Sequence, residues 1–377
     1  MKIHSLTLKD KEERRLVRGH LWVYRNELQA DSALEDGSVV DIFAASRRFI
    51  GRGFYQAQGG IAVRLLSRRQ QDLDTTFFRE ALQTAVALRA ALFPGSSAYR
   101  WVFGESDALP GLVIDRYGAV AVGQTQCAFY AEHATAIAKA VRAQEGIAGF
   151  ILEGPGNARQ VFGECPPAGE IDLDGLRLRV PFEGGQKTGM FLDQRLNAAL
   201  AAPLARGRRV LDAHANTGQW ALRAALAGAA HVHVVDTSRS ALDVAAENAS
   251  LNAVADACTF EQAPAEEVLA RGEAYGMVVV DPPAFAKARP QVAKALGRYQ
   301  ALNRAAIRAL EPGGFLVSCS CSHFVAPGDF IEMIKRAAVA EQRVPQLLEM
   351  RAAAPDHPVL LAMPESAYLK CAILRVL

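Results

Sequence analysis

Apolar residues recur at two different periods along the chain, and the change of period divides it into three parts. Residues 1–70 carry short β-prone runs separated by turn residues: Ile3 to Leu8, Ser38 to Phe43, Phe49 to Tyr55 and Ile61 to Leu66. They predict a small β-rich domain. A polar stretch, Arg68-Arg69-Gln70-Gln71-Asp72, reads as a linker. Thr75 to Leu92 then places Phe77, Phe78, Leu82, Val86, Leu88 and Leu92 at helical spacing. Strands are expected at Tyr99 to Phe103, Leu112 to Tyr117, Val120 to Thr125 and Gly149 to Glu153, with a helix over Phe129 to Arg142. This middle part, to about residue 180, is α+β.

Beyond residue 180 the pattern alternates. Strands are predicted at 209–212, 231–235, 258–261, 277–280, 315–321, 344–350 and 368–374. Helices are predicted at 220–226, 265–271, 292–310 and 330–340. Such alternation means a doubly wound α/β domain with a mostly parallel sheet. The expected division is 1–70, 71–180 and 181–377.

Within the third part, Arg209 to Asn252 organises the rest. A strand ends in Asp212, a turn contains Thr217-Gly218, a helix follows, and a second strand ends in Asp236. This is a βαβ unit of nucleotide-binding type. The acid closing the second strand can accept hydrogen bonds from both ribose hydroxyls. A dinucleotide would call for G-x-G-x-x-G, so that the backbone can approach a pyrophosphate. Here only Gly218 remains, preceded by His214, Ala215, Asn216 and Thr217. S-adenosylmethionine (SAM), which has no phosphate, fits better. A βαβ unit without cofactor is the plain alternative.

Composition narrows the class. Half the 377 residues are hydrophobic, 22% are charged, and the net charge is +2, which neither demands nor excludes nucleic acid. The distribution says more: residues 1–70 hold 13 Lys/Arg against 8 Asp/Glu. The basic residues cluster as Arg14-Arg15-Arg18, Arg47-Arg48-Arg52 and Arg64-Arg68-Arg69. An RNA-binding edge and a solvated basic face are both open on this pattern. The start of the chain lacks a signal-peptide apolar segment, and no run approaches the roughly 20 residues of a membrane span. Six scattered cysteines without C-x-x-C suit a reducing, cytoplasmic setting.

Ligands of such sheets sit beyond the carboxyl ends of the strands. One strand ends at Asp281-Pro282-Pro283-Ala284-Phe285, where the prolines remove donors and stiffen the loop. An acid, carbonyls and the Phe285 ring suit a planar base with exocyclic amino groups. Simple punctuation between strand and helix is the bland alternative. The next strand ends in Ser318-Cys319-Ser320-Cys321-Ser322. Methylating carbon 5 of a cytosine needs a thiolate that adds to carbon 6, next to a methyl donor. A small buried cysteine is the usual alternative. Periodicity does not choose between Cys319 and Cys321, although Cys321 lies further past the strand. A metal reading, Cys319-x-Cys321-x-His323, lacks a second ligand pair. The polar stretch Phe182 to Asn197 reads as functional, against a plain interdomain turn.

The whole chain resembles the bacterial 23S ribosomal RNA large-subunit methyltransferase I family, cytosine-5 enzymes with an amino-terminal PUA domain. Arg18-Gly19-His20-Leu21-Trp22-Val23-Tyr24 looks like the PUA opening. Phe103-Gly104-Glu105-Ser106-Asp107, Leu109-Pro110-Gly111-Leu112 and Asp115-Arg116-Tyr117 look like the middle signature. Gln186-Lys187-Thr188-Gly189, Leu192-Asp193-Gln194-Arg195, Asp281-Pro282-Pro283-x-Phe285, Ser320-Cys321-Ser322, Asp356-His357-Pro358 and Tyr368-Leu369-Lys370 complete the likeness.

The resemblance implies a PUA-like β-barrel, a middle domain and a seven-stranded SAM methyltransferase domain. It implies Cys321 as nucleophile, with Asp281 as its catalytic partner. The expected cofactor residues are Gln194, Arg195, Asp212, His214, Asn216, Thr217, Gly218, Asp236, Asp281 and Pro282. The expected substrate residues are Lys187, Pro283, Phe285, Lys370, Arg14, Arg15 and Arg18. Ribosomal RNA (23S or its large-subunit precursor) is the implied partner of a homodimer, with no metal and no membrane. The chain departs from the family at the cofactor turn, usually F-S-Y-T-G-G-F, where Gln219 is expected to crowd the cofactor or shift its methionine end. Ala263-Pro264 stands where an acid usually meets the adenine. Methylation of another base or of a small molecule, without a cysteine nucleophile, and an RNA-binding protein that has lost SAM are the competing readings.

Overall fold

The computed structural model describes residues 3–30, 34–183 and 188–377. The chain divides into two compact units. One comprises residues 1–169, 182–188 and 355–366; the other comprises 170–181, 189–354 and 367–377.

The first unit contains two five-stranded sheets. In one, the strands His4–Thr7, Trp22–Tyr24, Val39–Phe43, Phe49–Tyr55 and Ile61–Ser67 enclose Leu8, Leu16, Val23, Val40, Ile42 and Leu65. In the other, Ala98–Phe103, Leu112–Tyr117, Val120–Thr125, Gly149–Glu153 and Arg159–Gly163 lie side by side in chain order. Helix Thr75–Leu92 begins at Asp74, whose side chain accepts from the Thr76 and Phe77 amides. The expected helix over Phe129 to Arg142 is two helices, Ala128–Glu132 and Ala134–Arg142. They break at His133, whose backbone N and ring Nδ1 both engage the Phe129 carbonyl.

The motif residues of this unit are pegs of its core. Asp115 is fully buried and takes Arg100 in a fork at 2.5 and 2.9 Å. Arg89, also fully buried, holds Asp107 at 2.5 and 2.8 Å and the Asp356 carbonyl at 2.7 Å. Asp356 accepts from the Arg100 amide. Residues picked out by pattern here therefore serve stability.

The second unit is built on a seven-stranded sheet. Its strands are β1 (Arg209–Asp212), β2 (His231–Asp236), β3 (Cys258–Gln262), β4 (Tyr275–Val280), β5 (Leu310–Ser320), β6 (Pro345–Arg351) and β7 (Lys370–Val376). They run in the order β3-β2-β1-β4-β5-β7-β6, and β7 is antiparallel to both neighbours. The helices are α1 (Arg195–Ala201), α2 (Gln219–Leu226), α3 (Arg239–Leu251), α4 (Ala265–Leu269), α5 (Val292–Arg308) and α6 (Pro327–Ala340). The near-continuous apolar strands β1, β2 and β4 are central and buried, as strands of a covered parallel sheet are. The order reverses between β1 and β4, which opens a crevice beyond their carboxyl ends.

Candidate active site

Asp212, Asp236 and Asp281 close β1, β2 and β4 around that crevice. The turn after β1 is held by backbone and side chain together. The Asn216 amide donates to Asp236 Oδ2 at 2.8 Å, and the Ser238 amide donates to Asp236 Oδ1 at 2.8 Å. Ala215 N bonds the Val235 carbonyl at 3.0 Å. From α3, the buried Asn248 donates to the Thr217 carbonyl at 3.2 Å. Gly218 has φ +87°, and a Cβ there would lie 3.1 Å from Ala245 Cβ, so both conformation and space ask for glycine.

Two polar atoms on this turn are buried without a partner among the described residues: Asp212 Oδ1 and His214 Nδ1. Asp212 Oδ2 accepts from the Ala221 amide at 3.0 Å, in the first turn of α2. Burial, aided by the nearby Asp281 and Asp236 carboxylates, pushes Asp212 up to about 8. Burial likewise pushes His214 down to about 4. Both groups are therefore neutral at pH 7, and the cradle is polar without being charged there.

Gln219, at the start of α2, is tied to the turn before α1. It is buried, and its amide, suitably oriented, donates to the Phe191 carbonyl and accepts from the Arg195 amide. The Trp220 indole donates to Asp281 Oδ2 at 3.2 Å, and Gln194 Nε2 donates to the same oxygen at 3.0 Å. Asp281 is thus clamped between α2 and the turn before α1.

The loop after β4 is sewn to the end of β5. Ser322 Oγ accepts from the Ala286 amide at 3.0 Å and bonds the Tyr299 hydroxyl at 2.9 Å. Between these anchors Cys321 Sγ lies 3.9 Å from the Pro282 carbonyl. β5 ends at Ser320, so Cys321 stands just beyond it and is half-buried. Cys319 is fully buried beside Cys371, and burial pushes its thiol well up. The two cysteines have separate fates because only one lies past the last hydrogen-bonded residue of the strand.

Two family models match the chain. A PUA-like domain covers residues 6–68, and an S-adenosylmethionine-dependent methyltransferase covers residues 154–370. The chain is 35% identical to the ribosomal RNA large subunit methyltransferase I of Tolumonas auensis, over 99% of each chain. It is 33% identical to the protein so named from Klebsiella pneumoniae, over 99% of this chain and 98% of that one. The chain belongs to the ribosomal RNA large subunit methyltransferase I family. The fold is shared with a candidate SAM-dependent methyltransferase of Streptococcus mutans at TM-score 0.86, 20% identity, over 99% of this chain and 100% of that one. It is equally close to SMU.776, crystallised with SAH, at TM-score 0.86 and 21% identity, over the whole of both chains. The protein is therefore a SAM-dependent methyltransferase. The cradle fits that cofactor: strand-end acid, tight glycine turn, and neutral orphaned donors and acceptors at Asp212 and His214.

The other expected site residues lie in varied surroundings. Arg195, expected at the cofactor, is fully buried, and Asp174 takes its guanidinium in a fork at 2.9 and 2.6 Å. It anchors the turn between the strands Ala168–Leu173 and Leu176–Pro181. Phe285, expected to face a ligand, packs on the core. Arg298 covers its ring at 3.9 Å, and Tyr299 lies 4.6 Å away. Pro283 is exposed beside it. Lys370, expected on RNA, is buried, and its Nζ donates to the carbonyls of Ser322 at 2.6 Å and Tyr368 at 2.7 Å. In the first unit, Arg15 is half-buried and donates to Glu27 at 2.7 Å and the Trp22 carbonyl at 3.1 Å. Arg14 and Arg18 are exposed, with no ion pair among the described residues. Lys187 and Gln186 lie outside the described residues. Glu261, just before Ala263-Pro264 at the end of β3, is tied to Arg271 and His233. Trp220 and Asn248 are site-building residues that pattern reading did not single out. An indole in the first turn of the helix after the glycine was the available signal for Trp220; nothing local marked Asn248.

Proposed function

We propose that this methyltransferase acts on carbon 5 of a cytosine in 23S ribosomal RNA through a covalent adduct on Cys321. The name of the relatives supports the RNA, and the PUA-like match at residues 6–68 supports an RNA-binding unit. The observation that carries the chemistry is the position of Cys321. It is half-buried, past the end of β5, with its sulfur 3.9 Å from the carbonyl of the D-P-P loop. Asp236 would hold the ribose of SAM, and Asp212, His214, Asn216, Thr217 and Gly218 would line the turn beneath it. Gln194 and Pro282 complete that set through Asp281. SAM, when bound, supplies the methyl group and departs as the thioether.

The sulfur of Cys321 adds to carbon 6 of the base, and the electron pair moves to carbon 5. Carbon 5 takes the methyl. A base removes the carbon-5 proton, and the returning pair expels the Cys321 thiolate. Asp281 and the Pro282 carbonyl would accept from the exocyclic amino group. The target base must be unstacked to reach them.

The test uses RNA with 5-fluorocytosine at the target. Fluorine does not leave as a proton does, so elimination stalls and RNA stays attached. Adduct is expected with the wild type and with Cys319→Ala, and none with Cys321→Ala, which should still bind SAM. Attachment through Cys319 would reassign the nucleophile. Full turnover without adduct in the double variant would end the covalent reading.

A further inference from the structure

Lys370 opens β7, directly across from Ser320, the last residue of β5. From there its Nζ donates to the carbonyl of Ser322, the residue after Cys321, at 2.6 Å and to the Tyr368 carbonyl at 2.7 Å. Cys321 is thus bracketed: the lysine pairs with the residue before it and grips the residue after it. The lysine is only 4% exposed. Burying an ammonium is costly, and two neutral carbonyls offset only part of that cost. No carboxylate pairs with this ammonium among the described residues. Two of its three N–H groups go to backbone carbonyls, one of them on the residue next to Cys321.

We propose that Lys370 is a positioning residue for Cys321, a buried counter-cation that keeps the sulfur ionised as thiolate. This rests on Cys321 being the nucleophile. The remaining groups around the sulfur do not supply that charge. Tyr299 on α5 is neutral, with its hydroxyl on Ser322 Oγ. Asp281 at the end of β4 is a carboxylate whose charge opposes a thiolate, and it is clamped by Gln194 and Trp220. Arg298 on α5 is placed over the Phe285 ring. His323 follows in the chain and stacks edge-on with Phe324. Tyr368 donates its hydroxyl to Asp193. Burial pushes Lys370 down to about 8, so it stays mostly charged at neutral pH, and Cys321 is the ionisable group that pulls it back up. That coupling is reciprocal: what the thiolate does for the ammonium, the ammonium does for the thiolate.

The experiment is the pH dependence of Cys321 alkylation by iodoacetamide, read by peptide mass spectrometry on the intact protein. The wild type should react with a midpoint below the ordinary thiol value of about 8.5. Lys370→Met should slow alkylation at pH 7 by about tenfold or more, one unit of midpoint, while SAM still binds. Lys370→Arg should keep most of the wild-type rate at pH 7, which a merely structural lysine would not predict. A wild-type midpoint at or above the ordinary value overturns the proposal without any variant. So does an unchanged profile in folded Lys370→Met. A reciprocal measurement leaves the lysine untouched: Cys321→Ala should lower the titration midpoint of Lys370, followed by NMR of carbon-labelled lysine. An unmoved midpoint there overturns it too. Failure of the cytosine reading looks different: no fluorocytosine adduct forms, yet the Lys370-dependent profile remains.

Discussion

Asp236 accepts a backbone N–H on each carboxylate oxygen, one from the cofactor turn and one from the start of α3. The same oxygens have lone pairs left for ribose hydroxyls, so one side chain shapes the cradle and offers it to the ligand. Asp236→Ala should weaken SAM binding by about 1.5–3 kcal/mol, the scale of charge-assisted hydrogen bonds lost on truncation. Calorimetry checks it, with the melting temperature of the free protein falling as well because the turn loosens. Unaltered affinity in a folded variant would put the ribose elsewhere.

At the scale of elements, β1 and α2 are joined by an acid that is protonated when folded. Asp212 accepts from the Ala221 amide near the start of α2 and is raised from 3.8 to about 8 by burial. The folded state then holds a proton that the unfolded chain gives up. Stability from this group is complete below the unfolded value and is lost as pH rises toward about 8. Asp212→Asn keeps an acceptor for Ala221 and removes that loss. Its stability relative to wild type should rise across the window by up to about 1.4 kcal/mol per pH unit. Urea melts at pH 5 and pH 8 measure it; a constant difference between the two pH values would refute the buried neutral acid.

Across the whole molecule, the basic excess of residues 1–70 does two jobs. Arg15, Arg52 and Arg64 are tied to Glu27, Asp41 and Glu105, and Arg68 to backbone carbonyls. Arg14 and Arg18 are left exposed. Reversing only these two, to Glu, should weaken RNA binding and flatten its salt dependence. The logarithmic slope should fall by up to about 0.9 for each phosphate that is no longer neutralised. SAM affinity should not move. Including Arg15 would confuse the result, because its loss leaves the nine-tenths buried Glu27 carboxylate without its ion pair. Filter binding at several salt concentrations decides it; unaltered affinity and slope would make the helix Glu13–Val17 a solvated face.

Strand and helix periods were readable directly, because burial on one face or both imposes them locally on the sequence. The seven strands of the methyltransferase sheet, the acid at the end of β2, the D-P-P loop and the S-C-S run all follow from pattern and position. Choosing between Cys319 and Cys321 by residues alone was a matter of where β5 stops, and a strand end is set by pairing with β7, not by the run itself. The partners of charged side chains were not readable. Arg195 meets Asp174, 21 residues away; Lys370 meets Ser322, 48 away; Arg89 meets Asp356, 267 away. Charge in a sequence says that a group needs a partner or water. Only the folded chain decides which, because desolvation and distance belong to the packed interior and not to the order of residues.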